Sequence, residues 1–490
     1  MAGIKSLAKD TAIYGLSSMV GKFLNWCLVP FYTYTLKASG EYGIVTELYG
    51  WTALVIVILT YGMETGFFRF ANKDDRNPEQ VYSTTLCSLA VTSLLFIILG
   101  LVFLPNISQW MGYAEHPEFV GMMICIVAVD AFCCIPFAYL RYKNKAKTFA
   151  GIKLLMIFVN ILFNLFFLWL CPKIHAKNPE AIRWFFKPDY GVGYIFLSNV
   201  FSTGITFLLL LPYFIHVKVD FNRELLGKML RYSMPLLVLG IAGIMNQTFD
   251  KVIFKHLFDD QATAQEQLGI YGACYKIAII MMMFTQAFRY AYEPFIFAKN
   301  KSEDNRKAYS EAMKYYIIFA LFIFLAVMFY IDIIKYIISS NYHSGLSVVP
   351  IILACYLFQG IYFNLSLWYK LTDRTQWGAY ISLFGCLLTV LGNIMFVPKY
   401  GYIAAAWTSF VCYFLMMLIC WALGQKFYPI RYEMKSALFY LVLTMVLFIL
   451  GMNLPFDSLW LTLGVRTVLL GVFGIIVLKK DIPLAYLKRS

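Results

Sequence analysis

The chain alternates long apolar runs with short polar connections. Five of the runs carry at most one charged residue: 11–36, 80–114, 190–215, 375–398 and 400–425. About 20 mostly apolar residues are enough for a helix to cross a bilayer. With the weaker runs included, the pattern predicts fourteen transmembrane helices: 10–36, 42–68, 80–104, 119–141, 148–170, 190–215, 227–255, 267–297, 311–335, 345–370, 375–397, 401–425, 435–453 and 458–478. The predicted fold class is therefore all-α.

The composition excludes an ordinary soluble protein. Of the 490 residues, 61% are hydrophobic and only 14% are charged, whereas soluble domains contain about 25% charged residues. The chain is therefore predicted to be a polytopic membrane protein. Its net charge of +14 would suggest nucleic-acid binding in a soluble protein, so the position of the basic residues decides what this charge means.

Most basic residues lie in connections on one side of the predicted topology. Three dense groups, within 141–147, 299–307 and 479–489, fall on the same side as the N-terminus. Lys and Arg in short loops favour the cytoplasmic side of a membrane. We therefore expect both termini to be cytoplasmic, and we expect no nucleic-acid partner.

The sequence contains a weak internal repeat. Residues 140–151 recur as 367–378, Tyr82-Ser83 as Tyr309-Ser310, and Gly43-Ile44 as Gly269-Ile270, all at nearly the same separation. The repeat predicts two six-helix lobes, 1–221 and 222–424, with two additional helices and a cytoplasmic tail in 425–490. Parallel halves of a transporter enclose a central cavity and rock to alternate access to it. The repeat therefore favours transport.

Three groups of residues carry a resemblance to a known family. They are 28–33, 41–43 and 62–69; then 234–235, 246–251, 269–271 and 287–294; then 393–401 and 404–406. At these positions the chain resembles the polysaccharide (O-antigen) flippases of the multidrug/oligosaccharidyl-lipid/polysaccharide (MOP) exporter superfamily. The similarity extends over most of the two predicted lobes.

The resemblance implies a function. Such a protein moves a polyprenyl-diphosphate-linked oligosaccharide repeat unit across the cell inner membrane by alternating access, for the synthesis of O-antigen, capsule or exopolysaccharide. The resemblance also implies contact with membrane lipid, a coupling ion such as H⁺ or Na⁺, and association with glycan-assembly proteins. It implies no cofactor.

Prolines and glycines within these groups have predicted structural roles. Pro30 and Pro235 are expected to kink or open their helices, because proline removes a backbone hydrogen bond. The glycines Gly43, Gly269 and Gly401 are expected to begin helices directly after short outer turns.

Basic residues inside the predicted helices are candidate substrate contacts. A charge deep in a bilayer is costly unless it faces a cavity or a partner, and a diphosphate needs cations to offset its desolvation. The candidates for this role are Lys22, Lys153, Lys276 and Arg289. Asn25 lies on the same face of the first helix as Lys22.

Acidic residues inside the helices are candidates for charge pairing or ion coupling. They are Asp130, Asp250, Glu64 and Glu293, and the secondary candidates for function are Arg69, Asn25, Asn246 and Lys251. Asp130 either pairs with a lysine or takes part in ion coupling. Simpler roles also stay open, because Arg289 and Glu293 can neutralise each other, and Lys251 can extend to the membrane surface.

The connection before the sixth predicted helix is longer than its counterpart in the second half. Residues 173–189 interleave four basic residues with Trp184, Phe185 and Phe186. Aromatic and basic residues together usually anchor a chain at the membrane interface. Contact with a glycan or a lipid head group is the alternative.

Other functions compete with the flippase hypothesis. A membrane glycan polymerase or ligase needs a sizeable outer loop, whereas the outer connections here are short, and the sequence has no metal-ligand spacing or nucleophile motif. We therefore expect no enzyme activity and no metal site. A multidrug exporter would need an acidic cavity, against which Lys22 argues. A peptidoglycan lipid-precursor flippase shares the diphosphate and the fold, so it stays open.

Overall fold

The computed structural model describes residues 15, 17, 19–73, 77–299, 305–372, 374–454 and 456–481, without the side chains of 291–299 and 305. The α-helices are α1 (Leu28–Thr35), α2 (Ser39–Thr60), α3 (Met63–Ala71), α4 (Pro78–Val102), α5 (Leu104–Trp110), α6 (Pro117–Tyr142), α7 (Ala146–Leu165), α8 (Cys171–Lys177), α9 (Val192–Leu210), α10 (Pro212–Ile215), α11 (Arg223–Ile253), α12 (Gln261–Lys299), α13 (Asn305–Phe329), α14 (Ile331–Ile334), α15 (Val349–Leu365), α16 (Leu367–Leu371), α17 (Gln376–Tyr400), α18 (Tyr402–Phe427), α19 (Met434–Met452) and α20 (Leu459–Lys480). A π-helical segment, Phe166–Leu170, joins α7 to α8.

The helices confirm a polytopic membrane protein. Thirteen segments of the described chain are long and apolar enough to cross a membrane, and they correspond to the second through fourteenth predicted helices. The first predicted helix, 10–36, begins outside the described residues. Its described part is helical over 19–26 and Leu28–Thr35, with a turn at Cys27. Pro30 follows this turn, whereas Pro235 lies inside the continuous helix α11.

Sequence signals place several helix starts. The side chain of Asn77 accepts a hydrogen bond from the backbone N–H of Glu79 at the start of α4, and Asn222 does the same for Leu225 at the start of α11. Such caps satisfy backbone donors that have no partner inside the helix. Gly401 lies directly before α18, at the helix start that was predicted, with a φ of +62° that glycine adopts without strain.

The second predicted helix is divided into two. Tyr61 and Gly62 have positive φ angles of 31° and 70°, so α2 ends before them and α3 begins after them. The prediction of one helix over 42–68 is therefore wrong at this point. The Tyr61 hydroxyl lies 2.6 Å from the hydroxyl of Ser88 in α4, a contact that fixes the break.

The chain forms two compact units, Met1–Gly269 and Ile270–Ser490. In the first unit, α6 packs against α2, α4 and α9, while α11 packs against α2 and α3. In the second unit, α15 and α17 pack against α18, while α13 packs against α15, α19 and α20. The lobe boundary at residues 221 and 222, derived from the repeat, stays a prediction.

Two predicted helix starts are wrong, at Gly43 and Gly269. Helix α2 already begins at Ser39, and α12 begins at Gln261. The two glycines instead allow close packing. A Cβ atom on Gly43 would lie 2.0 Å from the carbonyl oxygen of Gln265, and one on Gly269 would lie 1.9 Å from that of Ser39. Only residues without a side chain let two helix backbones approach this closely.

Arg466 joins the last helix to two others. Its side chain is 5% exposed. Nε donates to the carbonyl of Gly451 at 2.8 Å, and Nη1 donates to the carbonyl of Phe329 at 3.1 Å. These carbonyls belong to the last turns of α19 and α13, where helices lack internal donors. Nη1 also lies 2.7 Å from Asp332, so Arg466 has a structural role here.

A second ionic contact binds the C-terminal helices elsewhere along α13. The Lys314 ammonium lies 3.0 Å from the carboxylate of Glu433 and 3.0 Å from that of Asp481. Tyr440 also donates a hydrogen bond to Asp481. Helices α19 and α20 are therefore attached to α13 at two places.

We expect Gly43→Ala and Gly269→Ala each to destabilise the protein. The added methyl group would overlap a backbone carbonyl, which cannot rotate away, and overpacking of this kind costs about 1–3 kcal/mol. Denaturant unfolding of the purified protein would measure the loss. Gly204→Ala is the matched control, because a Cβ at Gly204 meets nothing within 4 Å. Equal stability of the three variants would contradict the prediction.

We expect the contribution of Asp332 to stability to depend on pH. Burial raises the pKa of its carboxyl, but hydrogen bonds from Arg466 and Lys335 outweigh burial and hold the pKa below the ordinary 3.8. A pKa lowered by folding stabilises the protein above the unfolded pKa, and this contribution is lost as the pH falls through the folded value.

The measurement is the unfolding free energy of Asp332→Asn relative to wild type as a function of pH. The difference should be largest at neutral pH and should shrink below about pH 4. Asp457→Asn, at an exposed position, is the control. A difference that is constant with pH, or that grows as the pH falls, would contradict the assignment.

Candidate functional site

Asp130 and Lys153 belong to one polar group within the first unit. The Thr203 hydroxyl donates a hydrogen bond to Asp130 at 3.3 Å, and the Lys153 ammonium interacts electrostatically with the same carboxylate. The ammonium also lies 4.1 Å from the centroid of the Phe137 ring, a cation–π contact. Helices α6, α7 and α9 therefore bring together two candidates that the sequence had left separate.

Lys22 lies on a helix that packs beside this group. A Cβ atom on the adjacent Gly21 would lie 2.7 Å from Cδ1 of Ile157 in α7, and Ile157 follows Lys153 by one helical turn. The side chains of Lys22 and Asn25 are both exposed. Two of the predicted cations thus come from neighbouring helices of the first unit.

Asp250 and Lys251 form an ion pair on α11. The Lys251 ammonium lies 3.0 Å from Asp250 and donates to the backbone carbonyl of Gln247 at 3.0 Å. Asp250 and Asn246 are both buried. The Lys251 ammonium therefore has a carboxylate and a carbonyl of α11 as partners, and its extension to the membrane surface stays a prediction.

Two further candidates have local partners near the break between α2 and α3. Glu64 forms an ion pair with Arg141, and the Arg141 guanidinium lies 5.0 Å from the ring centroid of Phe68. Arg69 is exposed, and its guanidinium lies 4.3 Å from the ring centroid of Tyr232. Both residues therefore have partners in the first unit, and a functional role for either stays a prediction.

The remaining candidates belong to α12. Lys276 and Arg289 lie in the second unit and are half-buried. The Arg289 guanidinium lies 4.5 Å from the ring centroid of Phe363. The Glu293 side chain is outside the described residues, so its pairing with Arg289 stays a prediction.

A buried polar cluster that the sequence did not single out joins α2 to the start of α12. Glu47 is 0% exposed and Lys255 is 1% exposed. The Tyr113 hydroxyl donates to Glu47 at 2.6 Å, and the Gln265 amide donates to the Tyr113 hydroxyl at 3.0 Å. The cluster lies close to the contact between Gly43 and Gln265.

Lys255 completes this cluster. Its ammonium donates to the carbonyl of Met111 at 2.9 Å and lies 4.0 Å from the ring centroid of Tyr113. Burial and the Glu47 charge raise the pKa of Tyr113 well above the ordinary 10.0, so the phenol stays a hydrogen-bond donor. The one signal in the sequence was Glu47, an acid in an apolar run, because Lys255 is the last residue of the predicted helix 227–255, where a lysine is ordinary.

Comparisons of sequence match a family model over part of the chain and one relative over most of it. Residues 261–395 match the sequence model of the MatE family. An uncharacterized membrane protein of Methanocaldococcus jannaschii is 21% identical over 457 residues, which cover 85% of each chain.

Comparisons of structure extend further along the chain. The lipid II flippase MurJ in an inward closed conformation superposes with a TM-score of 0.74 at 12% identity, covering 96% of this chain and 99% of MurJ. An inward-facing MATE family transporter of the MOP superfamily gives 0.66 at 14% identity, covering 83% and 94%. The chain therefore has the fold of the MATE and MurJ transporters.

Proposed function

We propose that this protein is a flippase that moves a polyprenyl-diphosphate-linked oligosaccharide repeat unit across the inner membrane. It would do so by alternating access and would serve the synthesis of O-antigen, capsule or exopolysaccharide. The fold supports the coarser part of this proposal, a transporter or flippase of the MOP superfamily. The choice of substrate depends on the charges of the first unit.

The observation that carries the proposal is the pairing of acids with bases. The predicted helices 42–68, 119–141 and 227–255 contain four acids. Each of the four interacts with a basic side chain: Glu47 with Lys255, Glu64 with Arg141, Asp130 with Lys153, and Asp250 with Lys251. A carboxylate neutralised in this way has little charge left to attract a cationic drug. The pairing therefore argues against a cationic substrate in the described part of the first unit.

Lys22 and Lys153 are the proposed contacts for the diphosphate in the first unit. Lysine ammonium groups are flexible point charges that bind phosphate well. Lys153 can exchange its interaction with Asp130 for one with the diphosphate, since both partners are anions. Lys276 and Arg289 stay predicted contacts of the same kind in the second unit.

The conformational change would require the contacts near Gly43 to separate. Here the α2 and α12 backbones touch, and Tyr113 connects Glu47 to Gln265. Hydrogen bonds of this kind are worth about 1 kcal/mol each, so a few of them can break within one transport cycle. We propose that this cluster closes one end of the pathway, and that both termini lie on the cytoplasmic side.

A peptidoglycan-precursor flippase is the second candidate. The shared fold with the lipid II flippase MurJ, over 96% of this chain, favours it specifically. Both substrates carry a polyprenyl diphosphate, so the cations discussed above would suit either one. A coupling ion, H⁺ or Na⁺, and glycan-assembly partners stay part of the proposal in either case.

Complementation separates the two candidates. We expect expression of this protein to restore surface polysaccharide in a bacterial strain without its polysaccharide flippase. We expect no rescue of cells depleted of the peptidoglycan-precursor flippase. The reverse pattern would replace the proposed substrate with the peptidoglycan precursor, and immunoblotting of membranes would show that expression was equal in both strains.

We expect Asp130→Asn and Lys153→Met each to reduce flipping of the lipid-linked substrate in proteoliposomes. Each single variant leaves a charge in the membrane without its counter-charge, which costs about 3–5 kcal/mol of stability when the pair is buried.

The double variant distinguishes pairing from substrate contact. Asp130→Asn with Lys153→Met should recover stability, because no uncompensated charge is left. If Lys153 contacts the diphosphate, flipping by the double variant stays reduced despite the recovered fold. Full flipping by the double variant would show that the pair is only structural.

A further inference from the structure

The long connection before α9 builds a pocket in the first unit. Helix α7, the π-helical segment and α8 run continuously through Ala146–Lys177, and the chain then returns toward α9 through 178–191. The corresponding turn between α17 and α18 consists of Gly401 alone, so no equivalent segment exists there. The pocket lies at the helix ends opposite the 143–145 connection between α6 and α7.

The structure divides the residues of this segment between two environments. The Lys173 ammonium lies 3.9 Å from the ring centroid of the exposed Trp169, as expected for an interface anchor. Phe186 instead turns inward, where it is 4% exposed and its ring centroid lies 5.3 Å from that of Tyr194 in a stacked arrangement. Anchoring therefore accounts for only one part of the segment.

The pocket has an apolar wall and a polar rim. Its volume is about 360 Å³, within the range of about 300–1,000 Å³ for small-molecule sites. Leu36, Pro172 and Phe186 contribute to the wall, and Lys37, Glu41 and Asp189 contribute the charged groups. Apolar walls with a few placed polar groups are the usual construction of such sites.

The charged groups of the rim are accessible for hydrogen bonds with a ligand. The Lys37 ammonium lies 2.9 Å from Asp189, and both side chains are highly exposed, at 70% and 92%. A pair this exposed is worth about 0–1 kcal/mol, so a ligand can displace it at little cost. Glu41 accepts a hydrogen bond from the backbone N–H of Lys37 at 3.0 Å, which fixes its carboxylate at the rim.

The chemistry of the pocket selects among ligand classes. The charged rim groups are two carboxylates and one ammonium, beside the imidazole of His175, so the rim has no excess of positive charge to favour phosphate. An apolar lipid chain would leave the charged rim without partners. A sugar ring suits both surfaces, because its hydroxyl groups donate to carboxylates and accept from an ammonium, while its C–H face packs against apolar side chains.

We propose that this pocket is a binding site for an uncharged sugar residue. The chemical class follows from the pocket itself, and its connection with transport rests on the proposed function. The sugar can come from the glycan of the lipid-linked substrate or from free glycan at the same face of the membrane. Lys37, Glu41 and Asp189 hold its hydroxyl groups, and Leu36, Pro172 and Phe186 pack against its ring.

The test is sugar binding to the full-length protein in lipid nanodiscs. Saturation-transfer difference NMR would be recorded with glucose, galactose and N-acetylglucosamine, and with inorganic phosphate and ethanolamine as charged comparison ligands. We expect at least one sugar to bind, and Glu41→Gln and Asp189→Asn each to weaken its binding about tenfold, the effect of losing one good hydrogen bond to a charged group.

Lys399→Ala is the matched control, because Lys399 lies in the last turn of α17, directly before the corresponding connection that has no inserted segment. We expect it to bind sugar as the wild type does. Binding of no sugar, sugar binding that Glu41→Gln and Asp189→Asn leave unchanged, or variant-sensitive binding of phosphate or ethanolamine in place of sugar would each overturn the proposal.

Two further measurements separate the sources and the hypotheses. Variant-sensitive binding of an oligosaccharide released from its lipid supports a site for free glycan, whereas such binding of the lipid-linked form alone supports a site for the transported substrate. If complementation succeeds while no sugar binds, only the pocket proposal fails. If sugar binds in a variant-sensitive way while complementation fails, only the flippase proposal fails.

Discussion

The cost of placing a charge in hydrocarbon constrains the ionisable side chains in the spans of this protein. In the first unit, Asp130 has Thr203 and Lys153 as partners, and Asp250 has Lys251. The same constraint acts on backbone groups at helix ends, which need partners where water is scarce. Interactions that satisfy buried polar groups therefore also determine which helices pack together.

Arg466 shows how one side chain meets both requirements. It supplies donors to the carbonyls of Phe329 and Gly451, and its charge is balanced by Asp332. The two C-terminal helices, α19 and α20, thereby become part of the second unit. The similarity to MurJ covers 96% of this chain, against 83% for the MATE transporter, so the comparison with MurJ takes in more of the chain.

At Gly43 and Gly269, the lack of a side chain determines how closely two helices pack. These glycines occupy equivalent positions of the internal repeat, and they allow the α2 and α12 backbones to touch. The nearby Glu47 and Tyr113 add directional bonds to a contact that packing alone would leave unspecific.

The sequence determined the approximate limits of the thirteen spans in the described part of the chain, because hydrophobic length is a local property of the chain. It also identified Asp130 and Lys153 as costly charges. Local signals did not reveal the break at Tyr61 or the burial of Lys255. They also did not show that Gly43 and Gly269 lie inside α2 and α12 and not at helix starts. Those features depend on which helices become neighbours, and only the tertiary structure brings together residues distant in sequence.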